Sequence, residues 1–184
     1  ESSTHGGAIM CDGFMFIGDW SVQETITVGS TMDVTAKKAF GEPRRIDVTY
    51  ESGPDGGGPN GAIPGENSSY LFDHNPATKW CNTNVEQARE GIFFSANTNA
   101  PVKAIQYSLT MAGDHEKNPN RVPSAWTLYG SNDESNDGSV DNKSWTVIDK
   151  GDAVDKDTLL RAKNGEKVTF DIPTPASYQY YKLV

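Results

Sequence analysis

The chain has 184 residues, 35% of them hydrophobic, and a formal net charge of −9 at pH 7. This length fits one domain, or one domain with an additional segment, and is sufficient to bury a core. The acidity makes nucleic acid and anionic lipid surfaces unfavourable partners, and no run reaches the roughly 18 apolar residues of a membrane span. No basic segment followed by an apolar one opens the sequence, so we expect any signal peptide to lie outside it.

Two cysteines are present, Cys11 and Cys81. A disulfide between them and a pair of unbridged, partly buried thiols both remain open. The sequence has no CxxC pair and no cluster of Cys and His, so nothing in it indicates a zinc site.

Strand patterns dominate the chain, and turn-rich stretches separate them. Short segments rich in β-branched and aromatic residues, several with alternating polarity, predict strands. In chain order these are residues 9–18, one or two segments within 21–36, then 45–50, 91–95, 102–111, 124–131, 144–150, 166–172 and 178–184. Residues 84–90 form one short helix-like stretch. The pattern predicts an antiparallel β-sandwich over residues 41–184, preceded by a β segment over residues 1–40.

Several motifs occur in an order that is known from one family. They are LFDHNPATKWC (71–81), YSLTMAGDHEKNPNRVPSAWTLYGSND (107–133), SWTVID (144–149) and YQYYKLV (178–184). As a set they resemble the coagulation factor V/VIII type C, or discoidin-like, domain, and most of all its bacterial branch, the family 32 carbohydrate-binding modules. The resemblance covers about residues 66–184. It implies an eight-stranded, galactose-binding-like jelly-roll sandwich and an extracellular, non-catalytic binding module.

The resemblance also implies a structural calcium ion in the first of these motifs. Its ligands would be the carbonyl of Tyr70, the carboxylate of Asp73, the carbonyl of Asn75, and the carbonyl and hydroxyl of Thr78. Calcium takes six to eight oxygen ligands of such mixed kinds. Asp73 alone cannot balance the ion, so a second carboxylate is expected. The alternative interpretation is an Asx-turn that holds no metal.

The sequence departs from the family at its last strand. In the family one more strand follows YYKL and carries an acidic calcium ligand, whereas the present sequence ends at Val184. Residues 8–18, AIMCDGFMFIG, resemble that strand. They are either the tail of a preceding domain in a tandem array, or they complete this sandwich as in a circular permutation. In the second case Asp12 supplies the missing carboxylate and Cys11 a carbonyl. We favour the second, because a missing strand leaves an open sheet edge.

Candidate sugar contacts lie in two polar loops. Planar polar groups bind vicinal hydroxyls, and aromatic faces pack on the C–H surface of a sugar ring. The candidates are His115, Asn118, Asn120 and Arg121 in the first loop, and Asn84 and Arg89 in the second. Arg121 equally fits an ion pair with Asp114, and the default for His115 is a surface loop histidine. Asn84 and Arg89 also fit a solvated loop.

Three other features have simpler interpretations. Trp80, Trp126 and Trp145 sit within strand patterns and are predicted to be core residues. His74 lies where the family usually has glycine, and it is expected to point to solvent. The acidic stretch 133–138 mimics half of an EF-hand loop but lacks the glutamate at its twelfth position, which predicts a solvated hairpin.

The motifs GxSxG, HExxH and Walker A are absent from the sequence, so we do not expect an enzyme. The expected function is that of a lectin-like, carbohydrate-binding module with a structural calcium and no membrane insertion. It would belong to a secreted or cell-surface bacterial protein with several domains. The alternative is a structural or adhesion module that binds protein or no ligand. The residues do not identify the sugar.

Overall fold

The computed structural model describes residues 10–19, 44–46, 48–54, 65–75, 77–82, 90–97, 100–135 and 144–184, with residues 10–19 and 44–46 described by their backbone. The strands expected within residues 21–36 lie outside these ranges, as does most of the helix-like stretch 84–90.

Most of the described chain is β structure, as the sequence predicts. One sheet has six strands: β1 (Met10–Asp19), β2 (Arg44–Ile46), β4 (Trp80–Cys81), β6 (Val102–Met111), β9 (Lys167–Asp171) and β10 (Ser177–Tyr178). The other has five: β3 (Val48–Ser52), β5 (Ile92–Ala96), β7 (Trp126–Ser131), β8 (Thr146–Gly151) and β11 (Tyr180–Leu183). All described strand pairs are antiparallel. Short 3-10 helices occur at η1 (Ser68–Leu71), η2 (His115–Lys117) and η3 (Pro119–Arg121).

Two segments that the sequence predicts as single strands divide between the sheets. Residues 178–184 supply β10 to the six-stranded sheet and β11 to the five-stranded sheet. Residues 45–50 divide in the same way between β2 and β3. A strand that changes sheets forms a corner of the sandwich. Alternating polarity alone does not reveal such a corner, because both halves keep the period of two.

Strand β1 is an internal strand of the six-stranded sheet. One side pairs with β6 from Cys11 to Asp19, and the other side pairs with β4 and β2. Cys11 lies opposite both Trp80 and Met111. The pairing with β6 shifts register between Cys11 and Gly13, so the backbone bulges at Asp12. The N-terminal segment is therefore built into the sheet at backbone level.

The core lies between the sheets and is rich in aromatic rings. Phe94 on β5 stacks on Tyr181 on β11, with ring centroids 5.7 Å apart. Trp80 and Trp126 are 1% and 4% exposed, which confirms their predicted place in the core.

Trp145 is not a core residue, contrary to the prediction. It is half-buried and packs edge-on against Phe93, with centroids 5.9 Å apart, and against Tyr129 at 6.5 Å. Phe93 and Tyr129 each lie between buried residues on their strands. Because successive residues of a strand point to opposite faces, both rings face outward from the five-stranded sheet. Trp145 directly precedes β8 and joins them on that outer face.

One described α-helix, α1 (Ala153–Arg161), was missed by sequence reasoning. The helix starts with a capping box. The backbone N–H of Asp155 donates to the Asp152 carboxylate, and the backbone N–H of Asp152 donates to the Asp155 carboxylate. Leu159 is its one fully buried residue, so it lacks the apolar stripe from which a helix is predicted. No helix in the described part of the chain has the length and apolar character that crossing a membrane requires.

Candidate functional site

Residues 66–81 form a loop that is closed at its base. The Cys81 amide donates to the Glu66 carbonyl at 3.2 Å, and the Lys79 ammonium lies 3.3 Å from the Glu66 carboxylate. Leu71 is fully buried, and the Trp80 indole donates to the Pro54 carbonyl at 3.0 Å. Backbone, charge and core contacts therefore hold this 66–81 loop against the sandwich.

Three of the predicted calcium ligands meet in this loop. The Thr78 hydroxyl lies 2.7 Å from Asp73 Oδ2 and 2.8 Å from the Asn75 carbonyl oxygen, and it donates to both. The backbone amide of Asn75 donates to Asp73 Oδ1 at 2.9 Å. This is the Asx-turn of the alternative interpretation. Tyr70, the fourth predicted ligand, lies in η1 of the same loop.

The donor set has the chemistry that calcium requires, but the described residues supply only part of it. Carboxylate, carbonyl and hydroxyl oxygens converge around Thr78, and calcium binds such oxygens at 2.3–2.6 Å. In the described residues no three His, Cys, Asp or Glu side chains gather to hold a metal. A calcium site here would need a second carboxylate from outside these described side chains. The bulge at Asp12 lies next to the pairing of Cys11 with Trp80, at the end of the 66–81 loop.

His74 has a φ of 57° and is exposed. This left-handed conformation favours glycine, which has no Cβ to clash. The backbone here has the shape for which glycine is suited, although a histidine occupies the position.

Residues 113–121 form a second polar loop, which follows β6. The Lys79 ammonium donates to Asp114 Oδ2 at 2.7 Å. The Asn118 side-chain amide donates to the Asp114 carbonyl at 3.1 Å and to its Oδ2 at 3.3 Å. On the opposite side Glu116 and Asn164 exchange two hydrogen bonds of 2.9 Å each. The loop is thus fixed on both sides, by Lys79 and by Asn164.

The predicted sugar contacts have different positions in the structure. Asn120 is exposed, while Asn118 and Arg121 are half-buried, so all three reach the surface of the 113–121 loop. Asn84 and Arg89 lie outside the described residues. The expected ion pair between Asp114 and Arg121 is not formed, because the Asp114 carboxylate pairs with Lys79 instead.

His115 is a correction to the sequence analysis. It was predicted as a surface residue, yet it is 1% exposed. The backbone amide of His115 donates to the Ala112 carbonyl at 3.0 Å. This bond lies at the start of η2, in which His115 is the buried residue. Neither ring nitrogen has a hydrogen-bond partner among the described residues. A side chain so deeply buried cannot touch a sugar at the surface, and we remove it from the proposed contacts.

Lys79 joins two carboxylates of different segments, Glu66 and Asp114. The side chains of Lys79 and Glu66 are each 19% exposed, and that of Asp114 is 36% exposed. Burial acts to lower the pKa of Lys79, but the hydrogen bond to Asp114 and both negative charges outweigh it, so its pKa is raised. Within the described part of the chain, Glu66 Oε2 and Asp114 Oδ1 are buried without a hydrogen-bond partner.

Cys81 lies beside this cluster as a buried free thiol. Burial, together with the negative charge of Glu66, raises its pKa to about 11. A thiol with such a pKa stays protonated at neutral pH and is unreactive.

Sequence reasoning singled out the oxygen-bearing residues that meet in the 66–81 loop but missed the contacts of Glu66 and Lys79. Lys79 directly follows the predicted ligand Thr78, and this position alone is a weak indication that it belongs to the site. Its partners are distant in sequence, and only the fold brings them together.

No family model matches the chain, and no curated protein is significantly similar to it. A function for this chain therefore has to be inferred from its fold, from the geometry of the two loops and from the sequence motifs.

Proposed function

We propose that this chain is a discoidin-like jelly-roll module that binds carbohydrate without catalysis. The main support is the contact between the two polar loops, because Lys79 of the 66–81 loop bonds to Asp114 of the 113–121 loop at 2.7 Å. Their meeting presents Asn118, Asn120 and Arg121 at one end of the six-stranded sheet. The two antiparallel sheets agree with the sandwich that the sequence motifs imply.

The three side chains suit vicinal hydroxyls. The Asn120 amide offers a donor and an acceptor in one plane, and the guanidinium offers a fork of donors. The Asn118 amide offers its oxygen, because its nitrogen already donates to Asp114. Sugar sites are built from a small number of such positioned polar groups. The Asn118 amide is already oriented by Asp114, which reduces the entropy lost when a ligand binds.

We further propose a structural calcium held by Tyr70, Asp73, Asn75 and Thr78, with the Asp12 carboxylate and the Cys11 carbonyl from β1. When bound, the ion supplies charge balance and fixes the loop. In this proposal β1 is the last strand of the family's jelly roll, placed first by a circular permutation. The module belongs to a secreted or cell-surface bacterial protein with several domains.

A glycan array probed in calcium and in chelator tests this function. We expect binding to a defined set of glycans in calcium, weakened about tenfold or more by Asn120→Ala or Arg121→Ala. Asp157→Ala, on the exposed side of α1, is the matched control and leaves binding unchanged. An array without any bound glycan, in folded protein, rejects the proposal.

The second candidate is a structural or adhesion module that binds protein. It is favoured by the half-buried aromatic group on the outer face of the five-stranded sheet, formed by Phe93, Tyr129, Trp145 and Tyr180. Aromatic residues are enriched in protein interfaces. A negative array combined with a purified partner whose binding is lost in Trp145→Ala supports this candidate.

A further inference from the structure

We propose that Lys79 positions the 113–121 loop in response to the 66–81 loop, so that calcium bound at Thr78 orders the sugar-binding side chains. This inference rests on the proposed function, from which it takes both sites. It adds a regulatory connection between them, and it assigns that connection to one residue.

A continuous series of contacts leads from the proposed calcium site to the proposed sugar contacts. Lys79 directly follows Thr78, the residue at which the loop oxygens converge. Its ammonium lies 2.7 Å from Asp114 Oδ2, at the start of the other loop. The same Asp114 oxygen accepts from the Asn118 side chain at 3.3 Å. Only two side-chain contacts therefore separate a proposed calcium ligand from a proposed sugar contact.

The ion pair between Lys79 and Asp114 is partly shielded from water. The Lys79 side chain is 19% exposed, so water screens its charge less than that of a fully exposed lysine. Glu66 holds the same ammonium from the 66–81 loop at 3.3 Å. Without the ammonium, the Glu66 and Asp114 carboxylates would lie near each other without the cation that now joins them. The loops would then repel.

The remaining described contacts of the 113–121 loop lead in other directions. Glu116 bonds to Asn164, which precedes β9, and the His115 amide bonds to Ala112 at the end of β6. These contacts hold the loop to the six-stranded sheet, whereas Lys79 holds it to the 66–81 loop. A change in the 66–81 loop can therefore reach Asp114 through Lys79 while the other anchors stay in place.

Calcium would act by restricting this residue. A calcium ion that binds the Thr78 carbonyl and hydroxyl fixes the peptide that leads to Lys79. The ammonium then loses less freedom when it pairs with Asp114, so the paired state gains population. By linkage, a sugar that requires the ordered loop raises the affinity for calcium by the same factor.

Hydrogen exchange followed by mass spectrometry tests the coupling with calcium alone as the probe. In the unchanged protein we expect calcium to slow exchange about fivefold or more in residues 66–81 and also in residues 113–121. In Lys79→Met the first effect stays and the second disappears. Lys150→Met, which removes an exposed lysine of β8, behaves like the unchanged protein. Lys79→Arg retains a cation and restores the effect at least in part.

Three results overturn the inference. They are no calcium effect on residues 66–81, no effect on residues 113–121 in the unchanged protein, and a full effect in Lys79→Met. If Lys79→Met does not fold, Asp114→Asn weakens the same pair from the other loop and must reduce the effect. The experiment contains no sugar. Calcium-dependent exchange in both loops with a negative glycan array therefore rejects glycan binding and keeps the coupling.

Discussion

The hydroxyl of Tyr107 on β6 donates a 2.7 Å hydrogen bond to the Asp149 carboxylate on β8, and so connects the two sheets through the core. The same hydroxyl accepts from the Trp126 indole at 2.7 Å. Tyr107 is fully buried, and burial followed by the bond to Asp149 raises its pKa far above the ordinary value. The phenol therefore stays protonated and keeps donating to Asp149.

Tyr107→Phe should lower the free energy of unfolding by about 1–3 kcal/mol, because it leaves the buried Trp126 indole without its acceptor. Urea denaturation measures the loss. Tyr129→Phe is the control, since Tyr129 is half-buried and its described contacts are made by its ring. Equal stability of the two variants would mean that the hydroxyl of Tyr107 contributes nothing.

Removal of calcium should destabilise the protein. At a calcium concentration 100 times the Kd, binding to the folded state adds about 2.7 kcal/mol, which corresponds to a Tm change of about 5–10 °C for a chain of this length. Thermal melting in chelator and in calcium measures the difference, and Asp73→Asn should abolish it. Identical melting curves, in protein shown by elemental analysis to be metal-free beforehand, contradict the calcium proposal.

His115→Phe should leave the free energy of unfolding unchanged or raise it by up to about 1–3 kcal/mol. It removes two buried nitrogens without hydrogen-bond partners and retains the volume of the ring. His115→Ala, which leaves a cavity instead, should be destabilising. Chemical denaturation of both variants measures the effects. A large loss in His115→Phe would show that a water or ion satisfies the imidazole. Glycan binding should survive His115→Phe, because the side chain is buried.

Cys81 should resist alkylation in the folded protein at pH 8, where a thiol with a pKa of about 11 carries little thiolate. The measurement is iodoacetamide labelling of Cys11→Ser, with and without urea. Labelling as rapid in the folded state as in urea contradicts the buried, protonated thiol.

The same thiol makes stability depend on pH in a definite direction. The folded pKa of about 11 exceeds the unfolded value of 9.0, so the folded state holds the proton more tightly. This contribution is fully present below pH 9 and is lost as the pH rises through about 11. Cys81→Ala should remove this alkaline component from denaturation curves measured across that range.

Local chemistry made part of the fold predictable. Alternating polarity located β6 at residues 102–111, the bounds it has in the structure, and the oxygen-rich residues around Thr78 marked the 66–81 loop. The period of two marks a strand because one face of the sheet is buried. These features depend on residues that are close together in sequence.

Other features depend on contacts that no local pattern shows. The pairing of Lys79 with Glu66 and Asp114 requires the folded sheet, and so does the burial of His115 in a loop of polar sequence. Helix α1 escaped prediction because it packs mainly through Leu159, although the capping box was readable at Asp152 and Asp155. Where a residue's partner is distant, residue type alone does not determine its role.

The internal position of β1 has a consequence for synthesis. Ribosomes make Met10–Asp19 before Val102–Met111, its longest pairing partner, so the edge of β1 that pairs with β6 stays open while about 80 further residues are added. The central pairing of the sheet is therefore strongly non-local, which slows folding. In a nascent chain that stalls before β6, this ten-residue segment lacks its longest partner and can pair only with the short strands β2 and β4. Keeping such an open strand edge apart from neighbouring chains is a task for a chaperone during synthesis.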